Sequence, residues 1–304
     1  MSSKRTFYSH GKLLLTAEYV ILDGAKALAL PTKFGQEMEV SPISEKQIQW
    51  MALDENSKPW FEGILSVCPR IEAQQNNPIS NNLVGILSEA NNLNPKILQE
   101  DKGFKITTRL EFPTNWGLGT SSTLLNNIAA WFEIDAFKLS EKTFGGSGYD
   151  IACAQRNAPL LYQLEKEKPK IQEVNFNPPF REKLFFVHLN EKQNSREAIQ
   201  HYRHQERKEL KKAVKEISGI TDLILNCNQL DDFEKLISEH ERIIASLLNM
   251  KPIKTRLFQD FPRAIKSLGG WGGDFILAIG AEKEREYFRK KGFRTILGFN
   301  EMFF

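Results

Sequence analysis

The first third of the chain carries its apolar residues in short extended runs. Lys12 to Val20 and Ala27 to Pro31 are such runs, and Asp23-Gly24 between them supplies a turn, which predicts strand, turn, strand. Ile48 to Leu53 and Trp60 to Val67 flank the polar segment Asp54 to Pro59 and predict a hairpin. The period then changes. Leu83, Val84, Ile86, Leu87, Ala90 and Leu93 recur at helical spacing, which predicts a helix over Asn82 to Leu93 with Ser80 or Asn81 as its cap. Phe104, Ile106, Thr108, Leu110 and Phe112 alternate with Lys105, Thr107, Arg109 and Glu111, the pattern of a strand with one face in the core, closed by Pro113. After a glycine turn, Leu124, Leu125, Ile128, Ala129 and Phe132 form a second helical stripe.

The segment Glu165 to Phe180 is rich in Lys, Glu, Asn and Pro, and Pro178-Pro179 fits neither a helix interior nor a central strand. It predicts a boundary between domains at 1–180 and 181–304, in keeping with a length of 304 residues. Beyond it the pattern predicts a strand at Lys183 to Leu189, a charged helix from Ser195 to Ile217, two further helical stretches reaching Met250, and strand, helix, strand from Asp274 to Phe299. The fold class is α+β.

Composition excludes several functions. Lys and Arg number 41 against 38 Asp and Glu, a net +3 that is far too small for a protein held by phosphate backbones, so no nucleic acid partner is expected. Apolar stretches such as Phe275 to Ala281 fall short of the roughly 20 residues a membrane span needs, and Met1 to Lys12 has no signal-peptide pattern. A cytoplasmic protein without a membrane partner is expected. Cys68, Cys153 and Cys227 are odd in number and widely spaced, and read as buried free thiols.

Four segments carry candidate chemistry. Pro113-Thr114-Asn115-Trp116-Gly117-Leu118-Gly119-Thr120-Ser121-Ser122 joins the clearest strand to a helix, where glycines, free N–H groups and hydroxyls can surround phosphate oxygens, although a capped helix after a glycine turn has the same composition. It is neither a Walker A loop nor a dinucleotide fingerprint. Ser147-Gly148-Tyr149-Asp150 sets an acid after a flexible turn, either as a proton acceptor or as a helix N-cap. Leu268 to Asp274, with four glycines, makes a hairpin turn or a loop over phosphates. Lys12 and Glu18 bring opposite charges into an apolar run, where the lysine either snorkels or neutralises phosphate. His201 and His204 lie one helical turn apart, but Arg203, Arg207, Lys208, Lys211 and Lys212 around them would repel a metal ion.

Taken in order, these segments resemble the GHMP small-molecule kinases, the family of galactokinase, homoserine kinase, mevalonate kinase and phosphomevalonate kinase. Ser9 to Gly24 is similar to the family's first motif, Pro113 to Ser122 to its nucleotide-binding motif, Lys266 to Asp274 to its third, and Ser147 to Asp150 to its Ser-Gly-x-Asp. Gly148-Tyr149-Asp150-Ile151-Ala152 resembles the string that labels a bacterial subgroup. His10, Ala17, Thr120 and Ser122 depart mildly from the motifs. Trp271 and Asp274 depart more, since Asp274 brings an acid toward the phosphate site.

The resemblance implies an N-terminal domain like domain 2 of ribosomal protein S5, a ferredoxin-like C-terminal domain, and ATP with Mg²⁺ and substrate held between them. It implies Asp150 as base, Lys12 as the cation that lowers the acceptor's pKa, and Pro113, Gly117, Leu118, Gly119, Thr120, Ser121 and Ser122 around the nucleotide. Ser121 and Glu141 would hold Mg²⁺, and Glu18 would help shape the acceptor site. The activity implied is ATP-dependent phosphorylation of a small metabolite, with mevalonate first and phosphomevalonate next as acceptor. Alternatives on the same resemblance are a diphosphomevalonate decarboxylase and a non-catalytic binder of nucleotide or metabolite. The partner is a small molecule, and a homodimer is compatible with the sequence.

Overall fold

The structure, a computed structural model, describes residues 4–67, 70–99, 102–191, 195–205, 208–271 and 273–304. Cys68, Arg207 and Gly272 lie outside the described residues. The chain divides into two compact units, the first made of residues 1–11, 34–114 and 119–156, the second of 12–33, 115–118 and 157–304.

The first unit is built on residues 5–11 of strand β1 (Arg5–Leu14) and 34–43 of β2 (Ala27–Ile43), the hairpin of β3 (Gln47–Leu53) and β4 (Pro59–Ser66), the short β5 (Glu72–Ala73), helix α1 (Pro78–Leu93), and β6 (Gly103–Leu110). Helices α2 (Thr120–Phe132), α3 (Ala136–Thr143) and α4 (Tyr149–Ala154) follow. The strands run in the order β5-β4-β3-β6-β2. All these pairs are antiparallel except β3 with β6. The alternation at 104–110 buries Ile106, which packs with Trp50, Leu87, Ile128 and Trp131 in one apolar core between sheet and helices. Helix α1 starts earlier than its apolar stripe. Its cap is Asn77, whose side chain accepts from the Ser80 N–H, and Pro78 takes the first helical position; Ser80 and Asn81 lie inside the helix.

In the second unit, residues 27–29 of β2 pair with β7 (Leu160–Glu165), and β7 pairs with β8 (Lys168–Glu173). The polar segment expected to link two domains contains a hairpin strand, and the last passage of the chain from one unit to the other comes after residue 156. Exposed edge strands can be as polar as linkers, which is why composition pointed to a break there. After these come β9 (Leu184–His188), α5 (Ser195–Arg203), α6 (Leu210–Leu225), α7 (Leu230–Leu248), α8 (Ile253–Leu257), β10 (Ile265–Ser267), β11 (Phe275–Ile279), α9 (Glu282–Lys290), β12 (Ile296–Gly298) and α10 (Phe299–Met302). The single helix expected over 195–217 is two helices, α5 ending at Arg203 and α6 starting at Leu210. An antiparallel sheet of order β10-β11-β9-β12 carries an apolar core that includes Phe185, Val187, Phe258, Ile276 and Phe288. Helices α6 and α7 pack on each other, and α7 lies against β10.

Cys153 is buried, whereas Cys227 is only half-buried because it sits just past the end of α6, where its thiol donates to the Gln229 carbonyl. His201 bonds the Leu248 carbonyl at 3.0 Å, a helix-end contact. No helix among the described residues is long and apolar enough to cross a membrane.

Candidate functional site

In the second unit the ammonium of Lys12 donates to the Gly117 carbonyl at 2.9 Å, and its amide N–H donates to the Leu118 carbonyl at 2.9 Å. One residue thereby fixes the loop 115–118 through both side chain and backbone. Gly117 has φ +68, and a Cβ there would meet the Asp274 carboxylate at 2.6 to 2.9 Å. A Cβ on Gly269, at φ +63, would meet the same carboxylate at 2.9 Å. Asp274 itself has φ 53 and is 5% exposed. Its N–H donates to the Glu191 carbonyl at 2.7 Å, and its carbonyl accepts from the Leu189 N–H at 2.8 Å. Two glycines from distant loops thus make room for one acid, which lies against Gly117.

His188 completes this corner. Its Nδ1 accepts from the Asn190 N–H at 3.3 Å, so Nε2 carries the proton and donates to the Asn115 carbonyl at 3.0 Å. The Trp116 ring meets Phe275 edge-on at 5.5 Å and lies 6.4 Å from the His188 ring.

In the first unit, Gly119 caps α2 in the left-handed region at φ 94, which puts the N–H groups of Thr120, Ser121 and Ser122 at the helix start with no acidic side chain in the first turn. Such groups have no intrahelical partner and form the positive end of the helix dipole. An anionic phosphate fits this end. Pro113 is half-buried upstream; Ser121 is exposed, while Ser122 is buried with its hydroxyl donating back to the Gly119 carbonyl at 2.9 Å. Ser122 therefore has only its N–H to donate to an anion. Thr123 is tied to Gln36 Oε1 at 2.8 Å, which fixes α2 on β2. Asp150 stands half-buried in the first turn of α4, accepting from the Ile151 N–H at 3.0 Å. The cap of that helix is Gly148, at φ 82, because the tight turn needs a residue without a Cβ. Glu141 is exposed on α3. Among the described residues no group of three or more His, Cys, Asp and Glu is placed to hold a metal ion.

Glu18 lies elsewhere than a ligand-facing position would require. It is 1% exposed, and its carboxylate pairs with the buried ammonium of Lys266. The turn carrying it is strained: Ala17 has φ 69, and Tyr19, at φ 65 and ψ −52, is the centre of a γ-turn closed by the Val20 N–H on the Glu18 carbonyl at 2.8 Å. Positive φ at such residues costs on the order of 1–3 kcal/mol each and persists only where surrounding contacts impose it.

No family model matches the chain, and no curated protein matches it. Solved structures do. Mevalonate kinase of Methanococcus jannaschii is similar at TM-score 0.69 and 16% identity, over 95% of each chain. Phosphomevalonate kinase of Streptococcus pneumoniae, in complex with phosphomevalonate and AMPPNP, is similar at TM-score 0.70 and 16% identity, over 97% of this chain and 99% of that one. Galactokinase of Lactococcus lactis, complexed with galactose, is similar at TM-score 0.68 and 14% identity, over 95% of this chain and 88% of that one. The fold is that of the GHMP kinases. In this GHMP-kinase fold the four motifs read from the sequence fall on a strand end, a strand-to-helix loop, a helix start and a hairpin turn. Lys266 enters the sequence reading only as the first residue of the third motif, and His188, His240 and Glu241 do not enter it. A signal for the last two was present, since Phe233, Ile237, His240, Glu241, Ile244 and Leu248 make one buried stripe of α7 that a His-Glu pair interrupts.

Proposed function

We propose that this chain is an ATP-dependent small-molecule kinase, with mevalonate as the first candidate acceptor and phosphomevalonate as the second. The observation that carries the reading is the bond from Lys12 to Gly117. It joins the first motif to the nucleotide motif across 105 positions of sequence, and nothing in local structure demands it. The likeness to kinases of mevalonate, phosphomevalonate and galactose supports the reaction class.

Phosphoryl transfer asks a protein to align an acceptor oxygen and to stabilise developing charge. The N–H groups of Thr120, Ser121 and Ser122 and the loop at Gly117, Leu118 and Gly119 would hold ATP, with Ser121 and Glu141 on Mg²⁺. When bound, ATP supplies the phosphoryl group and Mg²⁺ offsets its charge. Asp150 takes the proton of the acceptor hydroxyl, and the Lys12 ammonium lowers that hydroxyl's pKa. The acceptor is a small molecule rather than a nucleic acid.

A coupled ADP-release assay with mevalonate, phosphomevalonate, diphosphomevalonate, homoserine and galactose names the acceptor. CO₂ release from diphosphomevalonate would point to the decarboxylase instead. Asp150→Ala lowers turnover at least about a hundredfold and leaves ATP affinity within a few-fold. Undiminished turnover in that variant would exclude proton abstraction by Asp150, and full activity in Lys12→Met would remove Lys12 from the chemistry.

A further inference from the structure

Beneath the first-motif turn, the second unit buries four ionisable side chains together: Glu18, His240, Glu241 and Lys266, none more than 3% exposed. The Lys266 ammonium donates to Glu18 Oε1 and, at 2.9 Å, to the Ser267 carbonyl. Glu241 accepts from the Ser267 N–H at 2.9 Å and from the Ser267 hydroxyl at 3.1 Å. His240 Nε2 accepts from the Ala17 N–H at 2.8 Å, so its proton sits on Nδ1 and its 3.4 Å approach to Glu18 Oε2 is no ion pair. Glu18 Oε2 and His240 Nδ1 have no hydrogen-bond partner among the described residues.

Burying such groups is costly, and an apolar core of equal volume would hold the helix to the sheet at least as well. What the cluster supplies is direction. Among the described residues, the hydrogen bonds it makes outside itself go to two segments, the strained Ala17–Tyr19 turn and Ser267, through its backbone and hydroxyl, at the end of β10, where the loop carrying Gly269 and Asp274 begins. Thr16 adds a second tie, sharing a hydrogen bond with Thr221 of α6 at 2.8 Å. The positive φ of Ala17 and Tyr19 needs such an imposed geometry.

We propose that Glu18 and Lys266 are positioning residues: through this buried pair, with His240 and Glu241 behind it, the strained first-motif turn and the third glycine loop are held in one fixed relation. The inference deepens the kinase reading and rests on it for its effect on turnover. Its structural half, the pinning of two segments, stands without it.

The test is the double variant Glu18→Gln/Lys266→Met. It removes both charges of the pair and nearly keeps their shapes, so it folds even where Lys266→Met alone, which leaves the Glu18 carboxylate buried without its cation, does not. Amide exchange read by peptide mass spectrometry over residues 15–21 and 265–268 is expected to quicken at least tenfold, while peptides of β9 keep the parent rate. kcat is expected to fall at least tenfold with KM for ATP within threefold. Unchanged exchange in both peptides would overturn the proposal, as would equal acceleration in β9, which marks a loss of overall stability. Local acceleration with an unaltered kcat would overturn the positioning role. The exchange comparison requires no turnover, so a chain that forms ADP with no acceptor removes the kinase reading and still leaves this one decided by exchange.

Discussion

Gly117→Ala probes the join between the nucleotide loop and the third glycine loop. At φ +68 an alanine pays about 1–2 kcal/mol for the left-handed backbone alone. Its Cβ would also come within 2.6 Å of Asp274 Cγ, an overlap that an enclosed carboxylate relieves only by moving, at about 1–3 kcal/mol. The expected loss is therefore about 2–5 kcal/mol in the parent background. With Asp274→Ala already in place the overlap is gone, and the same glycine change costs only the backbone part, about 1–2 kcal/mol. Urea unfolding of the four members of the cycle, compared at constant m, measures the difference directly. A coupling of about 1–3 kcal/mol is expected. Equal cost of Gly117→Ala in both backgrounds, or a cost under about 0.5 kcal/mol in the parent, would refute the claim that the two glycines exist to admit this carboxylate.

Further outcomes follow from the same structure. Burial pushes Glu241 up to about 8 and raises Glu18, against the pull of Lys266, whereas burial and then Lys266 hold His240 well below its usual range. A carboxyl raised on folding binds its proton more tightly in the native state, so stability falls as pH rises from its unfolded value toward 8; His240 acts oppositely, but only below about 6.5. Between pH 6.5 and 8 the urea midpoint should therefore drop, by the equivalent of about 1–2 kcal/mol, and Glu241→Gln should flatten the slope; a midpoint constant over that range would contradict the assignment. Ser9→Ala removes a buried hydroxyl that donates to Asn127 Oδ1 at 2.7 Å and accepts from Asn126 Nδ2 at 2.9 Å, and should cost about 1–3 kcal/mol in thermal or urea unfolding, with a negligible change refuting the role.

The strands and helices that face a core on one side were readable from period alone. Residues 104–110 alternate because one face of β6 meets α1 and α2, and the stripe on α2 is the mirror of that contact. The candidate site was readable in part, because Gly117, Gly119, Gly148 and Gly269 stand where a positive φ is required, and residue type discloses that demand directly. Boundaries were less legible: β8, with its exposed lysines and glutamates, has the composition of a linker and becomes a strand only because β7 offers it an edge.

What the order of residues could not decide is which polar groups are turned inward. Glu18 reads as a site residue beside Lys12, yet the fold buries it against Lys266, 248 positions away, while His240 and Glu241 look like one more polar pair on a charged helix. A carboxylate's role depends on the charges and the water around it, and those neighbours come from segments that only the folded chain brings together. The sequence by itself determined the elements, the glycine turns and the residue types available for phosphate chemistry. The tertiary structure decided that Lys12 reaches Gly117, that Asp274 fills the space two glycines leave, and that Glu18 holds a turn from within.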